Sequence, residues 1–399
     1  MRAVRVTDTR IAIAVAVAAA LVYVAFGWGR ETVYDYYGRL AQALAGGQWW
    51  LSDDPPWLNE LISCGPARWC VAYPPLPAVL AIPFLPLGST ALAQGLMSQL
   101  AGGASAGPLY MGLRAYGAPR LVALAGAAVS VLGTTLLFSS ADARSWYAAH
   151  SAAMLFGSIA FWLAARGGPA WAIGAAIGLA ALARLPFAAA TPALALLAAR
   201  QSGASFLPVL RGVVLGGVPF ALVYVGYNEL RWGSIFDLGY VRLTEGDIFF
   251  SRGLFSPLYL PRHLYAIFLE PPDLVDGSPW FLRPRFVGMS LFLTTPAFLW
   301  VFAGLREIRR DAKVAATALA AGLALLLDVF HGTIGFQQFG YRFSIDAQPF
   351  LVALALTGDA VAGGVWRRRP SVLFLAGAVV AVAINVYAAI AIIRFGYWQ

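Results

Sequence analysis

Long apolar runs make up most of this chain, and nearly all its acids fall between those runs or at one end of them. About 20 apolar residues let an α-helix cross the hydrocarbon of a bilayer. No water is present there to satisfy the backbone, so such runs must be helical. The acids outside this pattern are Asp8, Glu307, Asp311 and Asp359, and each lies in a segment rich in Arg. Of the 399 residues, 60% are hydrophobic and only 12% charged, too little polar surface for a soluble domain. The expected class is an all-α polytopic membrane protein, one domain over 1–399, with about eleven transmembrane helices.

The spans are expected near 11–28, 71–88, 119–138, 147–165, 169–184, 186–200, 208–228, 286–304, 313–330, 347–364 and 371–393. The pair 169–184 and 186–200 is short and is divided by Arg184-Leu185-Pro186. Arg beside short loops sets orientation. With Arg2, Arg5 and Arg10 cytoplasmic, alternation puts Arg114, Arg120, Arg166, Arg200, Arg211, Arg306 to Lys313 and Arg367 to Arg369 inside as well. The net charge of +9 then follows from topology and lipid headgroups. No soluble basic module is present to bind nucleic acid. The basic start and apolar run resemble a signal peptide, but the run exceeds a typical h-region, so an uncleaved first span is expected. These features describe a multi-pass cell-membrane protein with its site on the periplasmic or extracellular side.

Two segments assigned to the outer face are long. The first, 29–72, holds Tyr36, Tyr37, Leu40, Ala41 and Leu44 at helical spacing, the pattern of an interfacial helix. The second, 229–285, mixes Arg231, Arg242, Arg252, Arg262, Arg283 and Arg285 with Tyr240, Phe249, Phe255, Tyr259, Trp280 and Phe281. A shorter third loop runs from His331 to Asp346. Both cysteines, Cys64 and Cys70, lie in the first segment on an oxidising side, and a disulfide is the favoured reading over two thiols.

Among residues that could carry chemistry, Asp35 stands first. A carboxylate just beyond the first span can accept a proton from an attacking hydroxyl. The competing reading is an N-cap for a helix starting at Tyr36, though Gly38 occupies the position where a capping box would have Glu or Gln. Arg342 is second, because its planar fork of donors fits phosphate oxygens; a plain Arg342–Asp346 pair is the alternative. Arg262, His263 and Arg252 are further candidates for the same phosphate, with less specific surroundings. Tyr34, Tyr73, Tyr341 and Asp346 are candidate substrate contacts, although interfacial belts use the same aromatic residues. Asp53, Asp54 and Glu60 read mainly as turn and cap residues, and Asp328 as a partner for His331. His150, His263 and His331 are too scattered for a zinc motif, and no Gly-rich phosphate loop is present. An activated donor would therefore be a lipid entering from the bilayer.

Several pieces together carry a resemblance: Tyr34-Asp35-Tyr36-Tyr37, Pro55-Pro56-Trp57-Leu58-Asn59-Glu60-Leu61, Tyr73-Pro74-Pro75-Leu76-Pro77, Gly253-Leu254-Phe255-Ser256-Pro257 and Gln338-Phe339-Gly340-Tyr341-Arg342. With many spans and two large outer loops, the chain resembles the GT-C superfamily of membrane glycosyltransferases. The likeness is to bacterial relatives of protein O-mannosyltransferases and lipid A aminoarabinose transferase. It implies a polyprenyl-phosphate sugar as donor, an essential acid at Asp35 and a donor phosphate held by basic residues of later loops such as Arg342. Protein O-mannosyltransferases carry Asp-Glu where this chain has Asp35-Tyr36, a departure that argues against a protein acceptor; a lipid or glycan acceptor is expected, its identity and the donor sugar being open. A single inverting displacement needs no cofactor, and a divalent cation is left open. The rival from another class is a lipid-linked sugar flippase or transporter, which would want charge at mid-membrane and interrupted spans. A non-catalytic assembly protein would not explain two large loops of acids, Arg and aromatics.

Overall fold

The computed structural model describes residues 6–275, 282–285, 287–362 and 364–397. Arg2, Arg5, Trp280, Phe281 and the first residue of the 286–304 run lie outside the described residues. The chain is an all-α polytopic membrane fold. Among the described residues, five helices are long and apolar enough to cross a membrane, or up to seven if each bent pair counts as one span.

Helix α1 (Val6–Gly27) is the first. Its Ala12, Ala19 and Tyr23 are buried while Ile13, Val17 and Leu21 face outward. The short amphipathic α2 (Tyr36–Ala45) follows, buried on its Tyr36, Tyr37, Leu40 and Ala41 face. A hairpin of β1 (Leu61–Gly65) and β2 (Arg68–Val71) comes next, with Cys64 and Cys70 bonded across it. The 71–88 run is not one straight span. Tyr73-Pro74-Pro75 opens α3 (Leu76–Ala81), which tightens into a 3₁₀ turn reaching Leu87.

The chain then bends by 120° into α4 (Thr90–Ala104) and α5 (Ala106–Tyr116). Hydropathy alone does not mark 90–116 as helix, because Gln94, Ser98, Gln99, Gly102 and Gly103 dilute it. These residues face neighbouring helices, and the small ones allow close approach. A Cβ on Gly103 would lie 2.4 Å from the Ala20 backbone.

Helices α6 (Arg120–Leu132) and α7 (Leu136–Asp142) meet at a 47° bend. The central α8 (Ser145–Ala165) has 78% of its apolar window buried. The two short runs expected over 169–200 form α9 (Ala170–Ala181), a 3₁₀ turn at Leu185–Ala190 and α10 (Thr191–Ser202). Helix α11 (Phe206–Trp232) has only 6% of its window buried and presents its remaining apolar surface outward. Helices α12 (Gly239–Leu243) and α13 (Leu260–Phe268) belong to the second long segment.

After two short helices, α14 (Leu291–Thr294) and α15 (Trp300–Leu305), comes α16 (Ala312–Leu326). Helix α17 (Ser344–Ala360) is buried along almost its whole length, packed on α6, α8, α15 and α16. The chain closes with α18 (Val372–Ala388).

The two ends of the bundle differ. At one end, Asp8 is buried and held by Arg114 and Arg120 at 3.3 Å each and by the Tyr110 hydroxyl at 2.9 Å. A cavity of about 1480 Å³ opens there, lined by Asp8, Arg114, Arg166, Glu307, Arg310 and Lys313 among others. The remaining acids of interest gather at the other end.

Candidate functional site

Asp35 sits at the start of α2 and is 4% exposed. It makes no capping hydrogen bond to the helix it precedes. One carboxylate oxygen accepts from Arg39 Nε at 2.9 Å, and the other from Thr90 Oγ1 at 2.5 Å. Arg39 also pairs with the exposed Asp53 at 3.0 Å. The side chain thus clamps α2 to the start of α4, and both its oxygens are engaged.

Glu60 ends the turn that leads into β1. Its backbone N–H donates to the Tyr36 hydroxyl at 3.0 Å, which fixes the turn against the first residue of α2. The residue is half-buried, yet its Oε2 is enclosed with no hydrogen-bond partner among the described residues. Burial pushes the carboxyl up to about 7, with the positive charge of Arg342 pulling the other way.

Arg342 is 8% exposed and lies just before α17. Its Nη1 donates to the Phe336 carbonyl at 2.7 Å, while its Nε is enclosed without a partner. The guanidinium sits over Tyr147 and Phe343, 5.6 and 5.2 Å from the ring centroids. Burial lowers its pKa to about 10, which leaves it charged at neutral pH. The turn that delivers it uses Gly340 at φ +67°, where a Cβ would also come within 3.3 Å of Thr294.

The expected Arg342–Asp346 pair does not form. Asp346 instead bonds His150 Nδ1 at 2.9 Å and Arg184 at 2.8 Å. Arg184 also holds Asp328 at 2.8 Å. Asp328 therefore gives one carboxylate oxygen to Arg184, its Oδ2 is enclosed without a hydrogen-bond partner among the described residues, and its backbone carbonyl meets the His331 N–H at 3.2 Å. Arg184 lies at the break between α9 and its 3₁₀ turn, His150 near the start of α8, Asp328 just beyond α16 and Asp346 in the first turn of α17. This cluster sits at helix ends. It leaves Arg342 without an ion pair among the described residues, with its charge acting on Glu60.

Aromatic rings wall the same region. Tyr73 packs 5.6 Å from both Tyr36 and Tyr37 and 6.1 Å from Tyr240. The hydroxyls of Tyr37 and Tyr73 are enclosed without partners among the described residues. Arg231, at the end of α11, donates to the Val71 and Tyr73 carbonyls at 2.6 and 3.3 Å, so the second long segment supports the placement of Tyr73.

The other sequence candidates are more dispersed. Tyr34 packs on Trp146 at 5.0 Å, and its carbonyl accepts from Ser145 and Gln94. His263 faces a carbonyl, that of His331, at 2.9 Å through Nε2, so that nitrogen carries the hydrogen. Its Nδ1 then accepts from the Tyr341 hydroxyl at 2.8 Å. Neither nitrogen is left for a phosphate, and burial first of all holds the ring near 4, neutral. His331 is held near 4 for the same reason. Arg262 donates to the Gly332 carbonyl and lies 5.1 Å over Tyr259, with its Nε enclosed and unpartnered. Arg252 is exposed and contributes its backbone N–H to the Tyr259 hydroxyl. No group of three or more metal-ligating side chains occurs among the described residues.

Sequence reasoning passed over two residues that matter here. Glu60 was read as a turn residue, because nothing local shows its enclosure. Arg184 was read only as a break, yet a lone Arg between two apolar runs too short to span calls for buried acid partners.

No protein-family model matches the chain, and neither does any curated protein. Two solved structures of the Archaeoglobus fulgidus oligosaccharyltransferase are similar in shape. The apo form aligns with a TM-score of 0.45 at 16% identity, covering 96% of this chain and 55% of that one. The form tethered to an acceptor peptide containing the NVT sequon aligns at 0.39 and 15%, covering 98% and 56%. This chain spans about half the length of that enzyme.

Proposed function

We propose that this chain is a GT-C-type glycosyltransferase. It moves a sugar from a polyprenyl-phosphate donor to a hydroxyl of a lipid or glycan acceptor at the outer face of the membrane. One observation carries the reading: among the described residues, the buried Arg342 Nε and the enclosed Glu60 Oε2 both lack hydrogen-bond partners, and the charge of the one acts on the carboxyl of the other. A phosphate ester needs the first group, because a planar fork of charged donors matches its oxygens and takes up negative charge as the bond to the sugar breaks. An acceptor hydroxyl needs the second, as a place for its proton. The tyrosine wall suits a sugar ring, since each ring offers an apolar face and a polar tip. Arginine supplies the compensating charge, so metal is not required, and a divalent cation stays open. The acceptor's oxygen attacks the anomeric carbon, the prenyl phosphate leaves, and the configuration inverts.

The test is binding of decaprenyl phosphate to the full chain in lipid nanodiscs. Arg342→Ala removes a charged fork worth about 1.5–3 kcal/mol, so affinity should fall by roughly 10–100-fold. Unchanged affinity would place the phosphate elsewhere and overturn this assignment.

A further inference from the structure

The first long segment brings two acids to this end of the bundle, and they are placed very differently. Asp35 has Arg39 on one oxygen and Thr90 on the other. Glu60 has an enclosed Oε2 with no hydrogen-bond partner among the described residues, and Arg342 is the cation whose charge acts on its carboxyl. A general base must have a lone pair free to take the proton and must lie near the reacting bond. Near Arg342 means near the phosphate that leaves.

We infer that Glu60 is the catalytic residue that takes the proton from the acceptor hydroxyl; this rests on the transferase reading above. The acceptor O–H gives its proton to the Glu60 carboxylate as the oxygen bonds to the anomeric carbon. The bond from that carbon to the phosphate oxygen breaks, and the electron pair leaves with the prenyl phosphate against Arg342. Glu60 afterwards returns its proton to water. Its carboxyl titrates near 7, where a base both carries its charge and holds a proton well. The other groups facing Glu60 are Arg342, Tyr36 and Tyr240, and none of them changes charge between pH 6 and 8. His263 and His331 nearby stay neutral through that window.

The experiment uses the full chain in phosphatidylethanolamine–phosphatidylglycerol nanodiscs, with Glu60→Gln, Glu60→Asp, Asp35→Asn and Arg342→Ala. In the first arm, decaprenyl phosphate binding is titrated from pH 5.5 to 8.5. The probe's own second ionisation, near pH 6, affects every variant, so Glu60 is read from the difference between curves. Glu60→Gln should match the wild type at pH 5.5 and bind several-fold tighter at pH 8.5, because a like charge has gone. Superimposed curves across the whole range would sink the inference while leaving Arg342 intact.

In the second arm, transfer is followed from a panel of decaprenyl-phosphate hexoses and pentoses to a membrane-lipid extract. The wild-type kcat/KM should rise through pH 7. Glu60→Gln should lose roughly 10²–10⁴-fold in turnover together with that rise. Glu60→Asp keeps a base at a shorter reach and should retain the rise at reduced turnover, which separates chemistry from misfolding. If Asp35→Asn, and not Glu60→Gln, abolishes the rise, the base is Asp35 and the inference fails. If Arg342→Ala binds the probe like the wild type at every pH, the phosphate lies elsewhere, and the placement of Glu60 beside it fails with that assignment. If neither the wild type nor any variant binds the probe at all, the transferase reading itself fails.

Discussion

Asp35 is a carboxylate with one hydrogen-bond donor on each oxygen, and these contacts clamp α2 to the start of α4. Arg39 is a quarter exposed while the Asp35 carboxylate is nearly enclosed, so the pair is partly screened but still stronger than a surface one. Asp35→Asn keeps the shape and removes the charge, which weakens the Arg39 contact and leaves an amide hydrogen facing a donor. A loss of about 1–2 kcal/mol is expected, read as a lower thermal midpoint in detergent. A midpoint equal to the wild type would mean the Arg39 and Thr90 contacts contribute nothing measurable. The contrast with Glu60 lies in surroundings alone, since both acids sit in the same segment.

At the scale of elements, the docking of α2 on α4 depends on a missing side chain. A Cβ at Gly38 would lie 2.0 Å from the Thr90 carbonyl oxygen and 2.6 Å from its carbon. Backbone cannot rotate away as a flexible side chain can. Gly38→Ala should therefore push α2 off α4 and cost about 1–3 kcal/mol, the usual range for overpacking. The expected outcome is a lower midpoint with faster proteolysis of the 29–72 segment; an unchanged midpoint would show that α2 has room to shift. This contact also explains why no capping box precedes α2. A longer residue at position 38 would collide with Thr90, so the first amides of α2 are satisfied from outside by Gln94. The Gln94 Oε1 accepts from the Tyr37 and Gly38 amides at 2.9 and 3.2 Å.

Across the whole molecule, the two ends carry their Arg residues in different ways. Arg114, Arg166, Arg310 and Lys313 line one shared cavity, in segments joined by short connections. At the opposite end Arg39, Arg184 and Arg285 sit in or beside the long segments and pair with separate acids, whereas Arg114 shares the single buried Asp8 with Arg120. Short loops with excess Arg stay on the cytoplasmic side, so the cavity end is expected inside and the Glu60–Arg342 end outside. The side chains of Ser52 and Arg310 are exposed at the two ends, and the native cysteines are bonded to each other. A membrane-impermeant maleimide applied to intact cells should label Ser52→Cys and spare Arg310→Cys. The reverse pattern would invert the orientation and remove the outer-face donor.

The sequence by itself determined the class of fold. Apolar runs of bilayer length leave the backbone no solution but helices, and that holds whatever the runs pack against. Local order also placed Cys64 and Cys70 within one turn's reach and put Arg342 beside the start of α17. Only the tertiary structure decided which partners each acid takes. Enclosure of Glu60, engagement of Asp35 and the diversion of Asp346 and Asp328 to Arg184 all depend on contacts between helices distant in sequence. The 90–116 helices escaped notice for the same reason: Gln94 and Ser98 read as polar, but they are fully buried, with Gln94 bonded to Tyr34 and Ala143 carbonyls and Ser98 to Ser151. A charged or polar side chain does not carry its partner in its own stretch of chain, and burial without that partner is what sets its chemistry.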